Sequence, residues 1–137
     1  MKNTIPDFNK IRLDLLDIVH RRGGHSTSSL SCLEILASVL QLKGVNDSKN
    51  PKLDFVISKG HAEIGVYMML KEYEYIDDDF IKDEYRTNNF KLPGHITNTI
   101  PGIIYSAGSL GHGLGFSVGL AYGKKLRKDD RKTIVLI

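Results

Sequence analysis

Phe8, Ile11, Leu15 and Ile18 recur at helical spacing among charged residues, which predicts an amphipathic helix from about Asp7 to Arg22. Gly23-Gly24 ends it, as glycine commonly does at a helix C-terminus. A Ser/Thr-rich stretch follows. Ser31 and Glu34 then have the spacing of a capping box at the head of a second helix, whose apolar positions are Leu33, Leu36, Val39 and Leu40 and which ends near Gly44. Residues 45–52 are polar, with Asn, Asp and Pro, and read as a loop. Asp54 to Ser58 is a short buried strand, and Lys59-Gly60-His61 opens a third, apolar helix running through Tyr67 and Leu70 to about Tyr73. Asp77-Asp78-Asp79 places acidic residues at the start of a further short helix, where the helix dipole favours them. From Asn88 to Ser109 no period is sustained. A long loop with two prolines and scattered Ile and Tyr points to function. Gly111 to Lys128 returns to helix, and Thr133 to Ile137 is the β-branched run of a buried parallel strand.

Helices alternating with buried strands predict an α/β architecture around a mostly parallel sheet, here as a single partial domain over 1–137. The composition, 41% hydrophobic and 26% charged, is that of a globular chain and excludes a disordered or collagen-like one. The one cysteine, Cys32, lies on an apolar helix face as a small core residue and excludes an internal disulfide framework. The longest strongly apolar stretch, Ile64 to Leu70, is too short to span a bilayer, and Met1 to Asp7 lacks the apolar centre of a signal peptide. The expectation is a soluble, cytoplasmic chain without a membrane partner. The net charge is +3, and the one basic cluster, Lys124-Lys125-Leu126-Arg127-Lys128, is cut short by Asp129-Asp130. It reads as a solvated helix end, not a nucleic-acid footprint. The last strand stops at Ile137, where an open α/β sheet would begin a ligand-binding loop.

Four of the five histidines directly follow glycine: His25, His61, His95 and His112. With 13 Gly in 137 residues, each has about one chance in ten of that neighbour. All four lie at junctions between predicted elements. One reading is a shared pocket of imidazoles suited to hydroxyls, phosphate or a proton in transfer; the other is four separate loop or cap histidines at the surface. His20, inside the first helix, is structural or solvated. The histidines are tens of residues apart, and only His61-Ala62-Glu63 offers a close carboxylate, so no metal ligand is assigned within the chain.

Gly108-Ser109-Leu110-Gly111-His112-Gly113-Leu114-Gly115 is the richest glycine segment, and it leads into a helix whose N-terminus suits an anion. It is neither a Rossmann fingerprint nor a Walker loop. Gly115 and Gly119 are expected to let a neighbouring element approach the helix.

Together these residues resemble the amino-terminal part of a transketolase. Arg22-Gly23-Gly24-His25 matches the family's first Gly-His, and Ser58-Lys59-Gly60-His61-Ala62 its Ser-x-Gly-His-Ala. Leu92-Pro93-Gly94-His95 matches its Leu-Pro-Gly-His, and Gly108-Ser109-Leu110-Gly111-His112-Gly113 its Gly-x-Leu-Gly-x-Gly. The last form is similar to that of the split or bacterial transketolases, whose halves are separate polypeptides. The resemblance implies a three-layer αβα thiamine diphosphate-binding fold and transfer of a two-carbon ketol unit from a ketose to an aldose. By similarity His61 would bind thiamine diphosphate near its diphosphate, and Gly108, Ser109 and Leu110 would line its rings. His112, where longer transketolases often have Gln, joins these cofactor contacts. His25 and His95 would face a sugar or sugar-phosphate substrate and relay protons.

The usual Pro after the first Gly-His is Ser26 here. In the family, the strand matched by Ile134 to Ile137 runs into Gly-Asp-Gly, whose Asp, with a later Asn, binds the Mg2+ that carries the diphosphate. Neither lies within these residues, nor does the pyrimidine-binding domain. The implied partner is a C-terminal transketolase half carrying that domain, in an oligomer. Two alternatives are a fragment of a deoxyxylulose-phosphate synthase-like enzyme, suggested by Gly23 to Leu30, and a non-catalytic interaction module retaining a remnant pocket.

Overall fold

A computed structural model describes residues 5–77, 81, 85–87 and 93–137. Asp7 caps the first helix, α1 (Phe8–Arg22), its carboxylate accepting from the amides of Asn9 and Lys10, and Gly23 closes it at φ 74°. The Ser/Thr-rich stretch is itself helical, forming α2 (Ser26–Leu30). This displaces the expected capping box. Cys32, not Ser31, occupies the N-cap of α3 (Leu33–Leu40), with no side-chain cap. The Ser31 hydroxyl instead donates to the Ser28 carbonyl at 2.9 Å, and Glu34 pairs with Arg12 of α1.

Strand β1 (Leu53–Ile57) leads through a 3-10 turn (Gly60–Ala62) into α4 (Glu63–Glu72). The long helix α5 (His112–Leu126) precedes β2 (Lys132–Leu136), which pairs in parallel with β1 from Leu53–Lys132 to Ile57–Leu136. The fold is α/β. All five residues of β1 are buried because both faces are covered. Leu53, Phe55 and Ile57 join the core formed with α1, α3 and α4, while Asp54, on the alternate face, pairs with Lys124 of α5. The further helix expected from Asp77-Asp78-Asp79 falls largely outside the described residues.

Three expectations need correction. Lys124 is not part of a solvated helix end: it is 1% exposed, its ammonium 2.7 Å from Asp54 and donating to the Lys132 carbonyl at 3.0 Å. Its aliphatic stem is buried while its charge binds α5 to both strands. β2 is parallel as expected, but only Leu136 is buried; among the described residues it has one neighbouring strand. Gly115 and Gly119 receive no neighbour, since a Cβ on either meets nothing within 4 Å. The packing glycine is Gly113, where a Cβ would lie 2.5 Å from Ser58 Cβ. The face that Gly115 and Gly119 share with Leu114, Val118 and Tyr122 is exposed.

Urea unfolding separates the packed positions from their exposed neighbours. Lys124→Ala leaves the Asp54 carboxylate, among the described residues, only the Arg131 guanidinium, 3.8 Å away. It should cost about 3 kcal/mol, whereas Lys125→Ala should stay within about 0.5 kcal/mol. Gly113→Ala should lose about 1–3 kcal/mol through overpacking against Ser58, while Gly115→Ala should gain up to about 1 kcal/mol of helix propensity.

Candidate functional site

The site is assembled where β1 ends. The Ser58 amide donates to the Leu136 carbonyl at 2.7 Å, and its hydroxyl accepts from the Gly113 amide at 3.0 Å. One serine therefore joins the carboxyl ends of both strands to the head of α5. The chain then turns sharply and presents His61. Gly60 runs so close to the third motif that a Cβ there would be 3.2 Å from the Ala107 carbonyl oxygen and 3.4 Å from the His95 ring.

His25 is delivered by the end of α1, at the N-cap of α2. Its ring centroid lies 4.3 Å from that of His61 and 6.3 Å from that of His95, and His61 and His95 are 5.3 Å apart. Three imidazoles from segments distant in the chain thus line one surface at the carboxyl end of the parallel pair. Buried groups hold them there. The Tyr67 hydroxyl, from α4, donates to the carbonyls of Pro93 (3.1 Å) and His95 (3.0 Å), fixing the backbone that carries His95. Glu63, the first residue of α4, is fully buried. Its carboxylate accepts from Tyr85 Oη at 3.0 Å and lies 3.1 Å from His25 Nδ1. Gly24 adopts φ 132°, and a Cβ there would sit 2.5 Å from the Tyr85 hydroxyl, so glycine is required for this approach.

Burial first, and the Glu63 charge second, push both phenols, Tyr67 and Tyr85, well above the usual tyrosine range. Both stay neutral donors to their carbonyl and carboxylate partners. Burial also raises the Cys32 thiol, which suits a core residue and not a nucleophile.

His25, His61 and His95 come together. His112 is the exposed first residue of α5, and among the described residues no ring contact joins it to the other three. Gly108, Ser109 and Leu110 form an exposed turn, with Leu110 75% exposed; it is tied to the histidines through Ala107 against Gly60 and Gly113 against Ser58. Leu92 of the third motif lies outside the described residues. Among those described, no group of three or more His, Cys, Asp or Glu is arranged to hold a metal ion, and no helix is long and apolar enough to cross a membrane. A concavity of about 900 Å³ lies at the amino end of β1, lined by residues including Asn46, Asp54, Tyr75 and Arg131 but by none of the histidines. Ligands of open α/β sheets bind at the other end.

In the sequence, Glu63 stands out only as a carboxylate close to His61, and Tyr85 does not stand out at all. A signal for Glu63 was present: it is the lone carboxylate heading the run Ile64 to Leu70. Tyr85 carried no comparable signal, because its partner is 22 residues away.

Imidazoles gathered at the carboxyl ends of parallel strands, beside an open glycine turn, are an arrangement that suits ligand binding by proteins of the α/β class. The family described as transketolase, thiamine diphosphate binding domain, matches residues 5–133, and the chain belongs to that family. It is 42% identical over 119 residues to a subunit of the apulose-4-phosphate transketolase of Actinobacillus succinogenes, covering 83% of this chain and 43% of the relative. It is 36% identical to the protein of the same name from Phocaeicola vulgatus, covering 93% of this chain and 47% of the relative. Human transketolase is 32% identical over 94% of this chain and 22% of its own length. The chain therefore spans less than half the length of these relatives.

Tyr85→Phe removes a donor from a buried carboxylate and should destabilise the fold by about 1–3 kcal/mol in urea unfolding. Gly24→Ala, strained in its backbone and crowding the same hydroxyl, should cost about 1–3 kcal/mol, and combining the two should cost less than their sum because both act on one contact.

Proposed function

We propose that this chain is the amino-terminal part of one half of a split transketolase, acting with thiamine diphosphate and Mg2+ to move a two-carbon ketol unit between sugar phosphates. The observation that carries this reading is the convergence of His25, His61 and His95 within 4.3–6.3 Å. Family membership supports the cofactor. The two bacterial relatives are named as subunits of apulose-4-phosphate transketolases, which supports a phosphorylated sugar as substrate and a partner half bearing the pyrimidine-binding domain.

The residues present fit the organic part of the cofactor. Leu110 offers an exposed apolar side chain, and a Cβ on Gly108 or Gly111 would meet nothing within 4 Å, so a ring can approach the backbone of the turn. In this reading Gly108, Ser109 and Leu110 hold the rings, while His61, with His112 at the head of α5, holds the diphosphate side. The Mg2+ ligands would come from the expected Gly-Asp-Gly segment. Bound thiamine diphosphate supplies the electron sink for breaking a carbon–carbon bond. His25 and His95 hydrogen bond the sugar hydroxyls, and take up and return the proton of the hydroxyl whose oxygen becomes a carbonyl.

Reconstitution with polypeptides supplying the Gly-Asp-Gly segment and the pyrimidine-binding domain tests this. Ketol transfer from a ketose phosphate to an aldose phosphate should appear, with kcat/KM falling about 10²–10⁴-fold in His25→Ala and His95→Ala and unchanged in His20→Ala. A complex that binds no cofactor and transfers nothing would favour the non-catalytic interaction module.

A further inference from the structure

Glu63 and Tyr85 have no assigned part in the chemistry just described, yet among the described residues they form the one buried, charged arrangement in contact with a site histidine. Glu63 has no solvent exposure, and its Oε1 and Oε2 lie 3.1 and 3.3 Å from Nδ1 of His25, a ring whose side chain is 44% exposed. The same carboxylate accepts from Tyr85 Oη, and the Arg86 side chain reaches that hydroxyl in turn. A hydroxyl can accept from a guanidinium while donating to a carboxylate, so the directions of these hydrogen bonds are mutually consistent. An ionised carboxylate is acceptor-only, which leaves Nδ1–H as the donor on the imidazole.

We infer that Glu63, held by Tyr85, is a positioning residue that fixes His25 as its Nδ1–H tautomer and turns Nε2 outward as a proton acceptor. Resting on the function proposed above, the step is a proton transfer: the substrate O–H proton passes to His25 Nε2 and the bonding pair stays on the substrate oxygen. The imidazolium so formed keeps its Nδ1–H on Glu63, whose charge stabilises it, and the proton is returned in the reverse step. A carboxylate behind an imidazole acts in this way in the hydrolase triads, where losing it leaves the ring in the wrong tautomer. The rings of His61 and His95 lie close to that of His25. Among the described residues, a carboxylate pairs with His25 and with neither of the other two.

Long-range 1H–15N spectra of this chain, labelled at histidine and recorded without cofactor or substrate, read the tautomer directly. In its neutral form the His25 ring should show a pyrrole-like Nδ1 and a pyridine-like Nε2. The Nε2–H tautomer of that neutral ring in the wild-type chain would overturn the inference with no variant needed. Glu63→Gln should shift His25 toward the Nε2–H form while leaving His61 and His95 signals in place; an unchanged His25 in a folded Glu63→Gln chain also overturns it. In the reconstituted enzyme Glu63→Gln should lower kcat about 10²-fold with KM within about twofold, whereas a merely structural role would leave kcat per folded molecule intact. The expected tautomer in an enzyme that transfers nothing would count against the proposed function alone, and the wrong tautomer in an active enzyme would count against this inference alone.

Discussion

A carboxylate removed entirely from water is tolerated only when donors surround it, and Glu63 is such a group. Its donors come from far along the chain: Tyr85 from 22 residues ahead and His25 from 38 residues behind. Satisfying it draws the end of α1 and the segment around residue 85 onto the head of α4. Gly24 permits the closest of these approaches. The first Gly-His motif thereby reaches the second, and Tyr67, about one turn further along the same helix, brings in the third. The histidine surface is the outer side of a polar network built around one buried charge.

A second junction, at Ser58, does the corresponding work for the backbone. It holds the carboxyl ends of β1 and β2 against the start of α5, so the glycine turn from Gly108 to Gly111 emerges beside His61. The Lys124–Asp54 pair secures the other end of the same helix to the strands. The parallel pair is thus clamped at both ends by α5, and the Gly-His motifs collect at the end where α/β sheets leave an opening.

Much of this was legible in the sequence. α1, α5 and both strands lie within a residue or two of where hydrophobic period and glycine stops put them, because local pattern decides those elements. The excess of Gly-His pairs pointed to one pocket for His25, His61, His95 and His112, and the first three come together while His112 stands apart at the head of α5. What escaped the pattern depended on partners far apart in the chain. Ser31 and Glu34 have capping-box spacing, but Glu34 pairs with Arg12, 22 residues away, and the Ser31 hydroxyl accepts from Lys59, 28 residues away. Lys124 looks like its solvated neighbours until Asp54 is placed beneath it. Gly115 and Gly119 look like packing positions, yet Gly113 is the one that packs, since only Ser58 comes close enough. Glu63 and Tyr85 show the same limit: neither residue announces its role without the other.

That the three clustered imidazoles form one face of a thiamine diphosphate-dependent active site is tested most directly by a crystal structure of the reconstituted two-half complex with thiamine diphosphate, Mg2+ and a sugar phosphate. The cofactor rings should lie against the Gly108 to Leu110 turn, with the sugar hydroxyls within hydrogen-bond reach of His25 and His95. Ligand seated instead in the concavity beside Asn46 and Arg131, with the three histidines facing only solvent, would contradict that assignment.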